Sequence, residues 1–242
     1  MHQSTWKNYA LLFDMDGVLI SLKSRWIDPI EEVISKVKPN YDLDTIRNES
    51  PSLVLVTDGR SSSLMFQGIL QVCKVAGLNN FQTFRVIIRL SSMLITRKKF
   101  KIVPFEGVSD ILKNLRKMGF RLALVTSASR RTIKNLKKQF PDLYNKFDCV
   151  VTRNDVKLTK PFPDQIHIAL KKLQIKKEKA VIIGDFASDI KAGKNAGVRT
   201  VAVLSEYPQE NKKILEKTNP DFIVDTISEI PEMVSEIFVV NK

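Results

Sequence analysis

The chain has 242 residues, 43% hydrophobic and 27% charged, a balance typical of a soluble globular protein with room for one domain or one domain with an insert. A formal charge of +13 admits nucleic acid, a membrane surface or an anionic substrate as partner, but no apolar run is long enough to span a bilayer. The polar start "MHQSTWKNYALLF" lacks a signal-peptide layout, and two distant cysteines (Cys73, Cys149) with two histidines (His2, His167) fit neither a disulfide framework nor a thiolate or imidazole metal centre, so a cytoplasmic location is expected.

In chain order, "LLFDMDGVLI" (11–20) is an apolar strand that runs into Asp14 and Asp16, with Gly17 directly after. Residues 21–99 read as a mostly helical insert: "RWIDPIEEVISKV" (25–37), "SSSLMFQGILQVCKVAG" (61–77) and "NNFQTFRVIIRLSSMLITRKKF" (79–100) look helical. "PSLVLVTDGR" (51–60) fits either a strand or a helix running into a loop. "KIVPFEG" (101–107) returns the chain to a regular alternation. A helix stops at Met118-Gly119, "RLALVT" (121–126) is a strand, and a further helix ends where Pro141 interrupts. Strands follow at 147–152, 180–185, 199–204 and 221–225, separated by helical segments, with a helix at the end of the chain.

Alternation of this kind predicts an α/β fold: a Rossmann-like parallel sheet flanked by helices, with ligands beyond the carboxyl ends of the strands. The predicted domains are an α/β core (1–20 and 100–242) and an inserted helical cap (21–99). Lysines recur at helical spacing, as in "KNLRK", "KNLKKQ" and "KKLQIKKEK", so most of the positive charge reads as solvated helix faces. The charge leaves nucleic acid open as a partner, although no RNP-like aromatic pattern, zinc finger or glycine clamp supports it.

Residues two apart on a strand share a face, so Asp14 and Asp16 are expected to converge at the strand mouth. Two carboxylates that close repel, and a hard divalent cation relieves the conflict. Gly17 leaves the backbone free to bend and approach a ligand. Three later strand ends add to this. Thr126 and Ser127 place hydroxyls suited to a phosphoryl oxygen, although Thr126 could also cap the next helix. Lys160, in "KPFPD", places a cation ahead of Pro161. In "GDFASD", Asp185 ends a strand and Asp189 lies on the first helical turn, where both also suit a helix dipole.

In these motifs, "FDMDGVL", "LVTS", "KPFPD" and "GDFASD", the chain resembles the haloacid dehalogenase-like hydrolase superfamily, in its phosphoglycolate phosphatase and β-phosphoglucomutase-like branch with a helical cap. The resemblance implies a Mg²⁺-dependent phosphatase acting on a small phosphorylated metabolite, phosphoglycolate-like or a sugar phosphate. It implies that Asp14 is the nucleophile, forming an aspartyl-phosphate, and that Asp16 is the general acid and then the base. Thr126, Ser127 and Lys160 would hold the phosphoryl group. Asp14, the backbone carbonyl of Asp16, and Asp185 would hold Mg²⁺, with Asp189 supporting that shell. Dehalogenases lack the second aspartate, so Asp16 argues for phosphoryl transfer. Phe186 departs from the Ser or Thr that many relatives carry beside Asp185. A β-phosphoglucomutase-like phosphotransferase and a non-catalytic phosphate- or nucleic-acid-binding protein are the alternatives. Arg60, near the expected cap–core junction, is a candidate for gripping a substrate anion, and Arg25 and Trp26 lie where the chain enters the insert; none of them is assigned a catalytic role. A solvated arginine is the plainer reading, and the oligomeric state is left open.

Overall fold

In a computed structural model, residues 6–41, 63–96, 101–206 and 208–239 are described, and elements are numbered among them. Six strands form one parallel sheet in the order β3-β2-β1-β4-β5-β6. They are β1 (Ala10–Phe13), β2 (Arg121–Val125), β3 (Cys149–Val151), β4 (Ala180–Gly184), β5 (Arg199–Val203) and β6 (Phe222–Val224). The helices are α1 (Asp28–Val37), α2 (Ser63–Val75), α3 (Asn80–Thr96), α4 (Val108–Lys117), α5 (Arg130–Gln139), α6 (Pro141–Tyr144), α7 (Asp164–Leu173), α8 (Ala187–Ala196), α9 (Pro208–Glu216) and α10 (Ile230–Val239). Pro141 interrupts as expected, since α5 ends at Gln139, and it also opens the short α6, because the first helical turn needs no amide hydrogen from it.

β1 and β4 are apolar at every position because both faces are covered. Leu11 and Phe13 join Leu122, Leu124, Val181 and Ile183 against Val108, Leu112 and Leu115 of α4 and Ile230, Val234 and Ile237 of α10. The alternate residues Ala10 and Leu12 join Ala123, Val125, Ala180 and Ile182 against Ile166, Ala169 and Leu173 of α7 and Ala192 and Ala196 of α8. Period-two geometry divides one apolar run between two cores. β1 lies at the centre, paired with β2 on one side and β4 on the other.

Helices α1, α2 and α3 gather a separate hydrophobic cluster around Ile34, Val72, Val86 and Leu90. The chain enters this segment through a wide helical turn at Lys23–Ile27, closed by the Asp28 amide donating to the Lys23 carbonyl. Outgoing and returning chains are joined at the junction. Ile20 bridges to Pro104, the Ser21 amide donates to the Val103 carbonyl (2.9 Å), and the Phe105 amide donates to the Leu19 carbonyl (3.0 Å). The segment 51–60 and Arg60 lie outside the described residues. Cys73 and Cys149 are free thiols. Among the described residues no helix is long and apolar enough to cross a membrane.

Candidate active site

The site assembles where β1, β2 and β4 end. The Asp14 amide donates to the Ile183 carbonyl (2.9 Å), extending the β1–β4 ladder by one residue and fixing where the Asp14 side chain emerges. Asp14 is 5% exposed. Its Oδ1 accepts a hydrogen bond from Lys160 Nζ at 2.6 Å. The same ammonium donates to the Val125 carbonyl (3.1 Å) and forms an ion pair with Asp189. Lys160 is therefore a buried cation with three acceptors, not one of the solvated lysines. Burial pulls its pKa down, but the charges of Asp14 and Asp189 outweigh this and raise it.

Asp14, Asp185 and Asp189 each offer a carboxylate oxygen, and these oxygens lie within 4.8 Å of one another. Lys160 pairs with Asp14 and Asp189. Asp185 Oδ1 is buried without a hydrogen-bond partner. Burial first, and then the charges of Asp14, Asp189 and Asp16, push the Asp185 pKa well above the usual range. Burial also raises Asp189 to about 6, with Lys160 opposing it. An all-oxygen set in which Asp185 keeps a buried, unsatisfied acceptor fits a hard divalent cation.

Two glycines make this packing possible. Gly17 has φ +79°, and a Cβ there would lie 1.8 Å from Asp185 Oδ2. A Cβ on Gly184 would lie 2.3 Å from Asp189 Cβ. The close neighbour of Gly17 is thus a carboxylate of the site itself.

Asp16 departs from the expectation that it converges with Asp14. β1 ends at Phe13, so strand periodicity no longer holds at Asp16, which bridges to Ile20. Its carboxylate stands outside the three-aspartate cluster, with Oδ1 2.9 Å from Arg25 Nη1. Burial raises the Asp16 pKa to about 6, opposed by Arg25 and reinforced by Asp14.

Thr126 is buried, and its Oγ1 accepts from the Ala128 amide at 3.0 Å. Helix α5 is capped instead by Ser129, which accepts from the Thr132 amide. Ser127 is exposed at the same mouth. Asp189 Oδ2 accepts from the Phe186 amide (3.0 Å), so the unusual residue beside Asp185 is held through its backbone, whatever its side chain. Sequence reasoning missed Gln165, fully buried on the first turn of α7, whose Nε2 donates to the Thr126 carbonyl at 2.8 Å. No local pattern marks it, because its partner is 39 positions away. The proximity of Arg25 to Asp16 was equally unreadable, since a wide helical turn sets it.

Comparison with known proteins follows the same outline. The profile of the haloacid dehalogenase-like hydrolases matches residues 11–203. The chain is 35% identical over 235 residues to the pyrophosphatase PpaX of Bacillus cereus (strain G9842), covering 94% of this chain and 97% of that protein. A PpaX from another Bacillus cereus strain is 35% identical over 136 residues, 56% of this chain and 62% of that relative, less than two thirds of its length. The crystal structure of a predicted phosphoglycolate phosphatase from Haemophilus somnus 129pt superposes with a TM-score of 0.70 at 19% identity, covering 95% of this chain and 99% of that one, a likeness of fold.

Proposed function

Because this chain belongs to the haloacid dehalogenase-like hydrolase family, we propose that it is a Mg²⁺-dependent phosphatase of small phosphorylated metabolites, acting in the cytoplasm through an aspartyl-phosphate. The observation that carries this reading is the position of Asp14, buried at the end of the central strand between Lys160 and the Asp185–Asp189 pair. The helices of the insert, which pack around a cluster of their own, are read as a cap over the site.

An Asp14 carboxylate oxygen attacks phosphorus as the bond to the leaving oxygen breaks, and Asp16 gives that oxygen its proton. Asp16, now ionised, takes a proton from water, which attacks phosphorus, frees the Asp14 carboxylate and releases inorganic phosphate. Lys160 holds Asp14 in one orientation and balances charge as it builds on the phosphoryl oxygens. Thr126 and Ser127 offer hydroxyls to those oxygens. Asp14, Asp185 and the Asp16 backbone carbonyl would hold Mg²⁺, with Asp189 supporting Asp185. When bound, the ion supplies Lewis-acid charge stabilisation at the phosphoryl group.

The test is phosphate release over a panel of phosphomonoesters and pyrophosphate with Mg²⁺. Wild type releases phosphate, Asp14→Asn loses at least about 10³-fold in kcat while staying folded, and chelation stops turnover. Wild-type protein that releases none while binding RNA in a salt-sensitive manner would overturn the proposal. Sugar phosphate isomerised without phosphate release would indicate a mutase instead.

A further inference from the structure

Two cations serve the four carboxylates Asp14, Asp16, Asp185 and Asp189, and they differ in what they have left to give. Lys160 donates to Asp14 and the Val125 carbonyl and pairs with Asp189, so its three ammonium protons face three acceptors. Arg25 is 6% exposed, and its guanidinium lies over the Trp26 ring at 5.3 Å. Its Nη1 forms an ion pair with Asp16 Oδ1 at 2.9 Å, and among the described residues no carbonyl or other side chain accepts a hydrogen bond from that nitrogen. A guanidinium carries five donors in a planar fork that suits a phosphate or carboxylate. A buried arginine with donors unspent points to a ligand.

Its location narrows that ligand. Under the phosphatase reading, on which this inference rests, Asp16 faces the leaving oxygen, so a cation in contact with Asp16 lies on the leaving-group side of phosphorus. We infer that Arg25 binds an oxyanion carried by the leaving group, a phosphate or a carboxylate a few bonds from the scissile oxygen. The preferred substrates are then phosphoanhydrides or phosphomonoesters of small anionic alcohols, and Arg25 is a specificity-determining residue.

The experiment compares kcat/KM for inorganic pyrophosphate, 2-phosphoglycolate and the neutral analogue 2-hydroxyethyl phosphate, using the full chain with Mg²⁺. Wild type favours at least one of the anionic substrates. Arg25→Gln lowers kcat/KM for that substrate about 10- to 100-fold more than for the neutral one, and Arg25→Lys, which also serves if the glutamine variant does not fold, recovers part of the loss. A selective loss on pyrophosphate assigns the anion as phosphate, and one on 2-phosphoglycolate as carboxylate; either supports the inference. Equal losses on all three substrates would mean that Arg25 only positions Asp16, and would overturn it. If wild type turns over no substrate, the phosphatase reading fails, and calorimetric binding then decides the role of Arg25 by itself. Methylenediphosphonate bound more tightly than methylphosphonate by wild type but not by the variants upholds it, and equal binding refutes it.

Discussion

A lysine that is 4% exposed has lost nearly all its hydration, and only nearby anions make that tolerable. Lys160 stays charged because Asp14 and Asp189 surround it, and those carboxylates depend on it in turn. Lys160→Met should therefore destabilise the protein by about 3–5 kcal/mol, since it strands two buried negative charges. Lys160→Met with Asp189→Asn should recover part of that loss, a coupling that urea denaturation of the single and double variants measures. Gly17 makes the opposite argument, from space instead of charge. Gly17→Ala places a methyl group 1.8 Å from Asp185 Oδ2 on a backbone at φ +79°. It should cost about 2 kcal/mol or more and lower turnover together with thermal stability.

At the scale of elements, the β3–α5 junction shows how the strand mouths are held. Asp155 Oδ2 accepts from the Thr152 amide (2.7 Å) and hydroxyl (2.6 Å), just past β3, while its other oxygen pairs with Arg130 at the start of α5. Burial pulls the Asp155 pKa up, but the Thr152 hydroxyl, Arg130 and the Thr152 amide outweigh it and hold the carboxyl at about 2. A carboxyl held below its ordinary value of 3.8 contributes stability above about pH 4, and that contribution is lost as pH falls towards 2. Asp155→Asn should cost about 1 kcal/mol at pH 6 and much less near pH 2, a convergence that denaturant midpoints at the two values report. The order of strands and helices was legible in the sequence because each central strand, covered on both faces, is written as an unbroken apolar run. Of the candidate site, the residues at strand ends, Asp14, Thr126 and Asp185, were legible one by one, and the structure brings the Asp14 and Asp185 carboxylates together. What joins the site was not legible. The bond from Lys160 to Asp14 spans 146 positions, and the approach of Arg25 to Asp16 depends on a helical turn whose extra width leaves no local signature.

Across the molecule, charge divides by depth. Lysines such as Lys113, Lys134, Lys138, Lys171 and Lys176 are exposed, as their helical spacing predicts, whereas the buried carboxylates concentrate at the sheet's carboxyl edge. A ligand that neutralises that edge stabilises the native state. Mg²⁺ at about 100 times its Kd should add about 2.7 kcal/mol, raising Tm by roughly 5–10 °C. Asp185→Asn should remove this shift and raise the melting point of the metal-free protein, since folding no longer bears the cost of burying an ionisable carboxyl among other carboxylates; a thermal melt with and without chelator measures both. The paired crossings at Ile20–Pro104 carry a different consequence. Because the chain leaves and returns at adjacent points, the intervening helices are topologically a single long hairpin on an otherwise continuous sheet. Such a hairpin can be lengthened, shortened or exchanged without changing the order of any strand. If these helices cap the site, as proposed, selection can therefore try new caps on an unaltered sheet, and divergence in what is recognised is expected to outrun divergence in the chemistry.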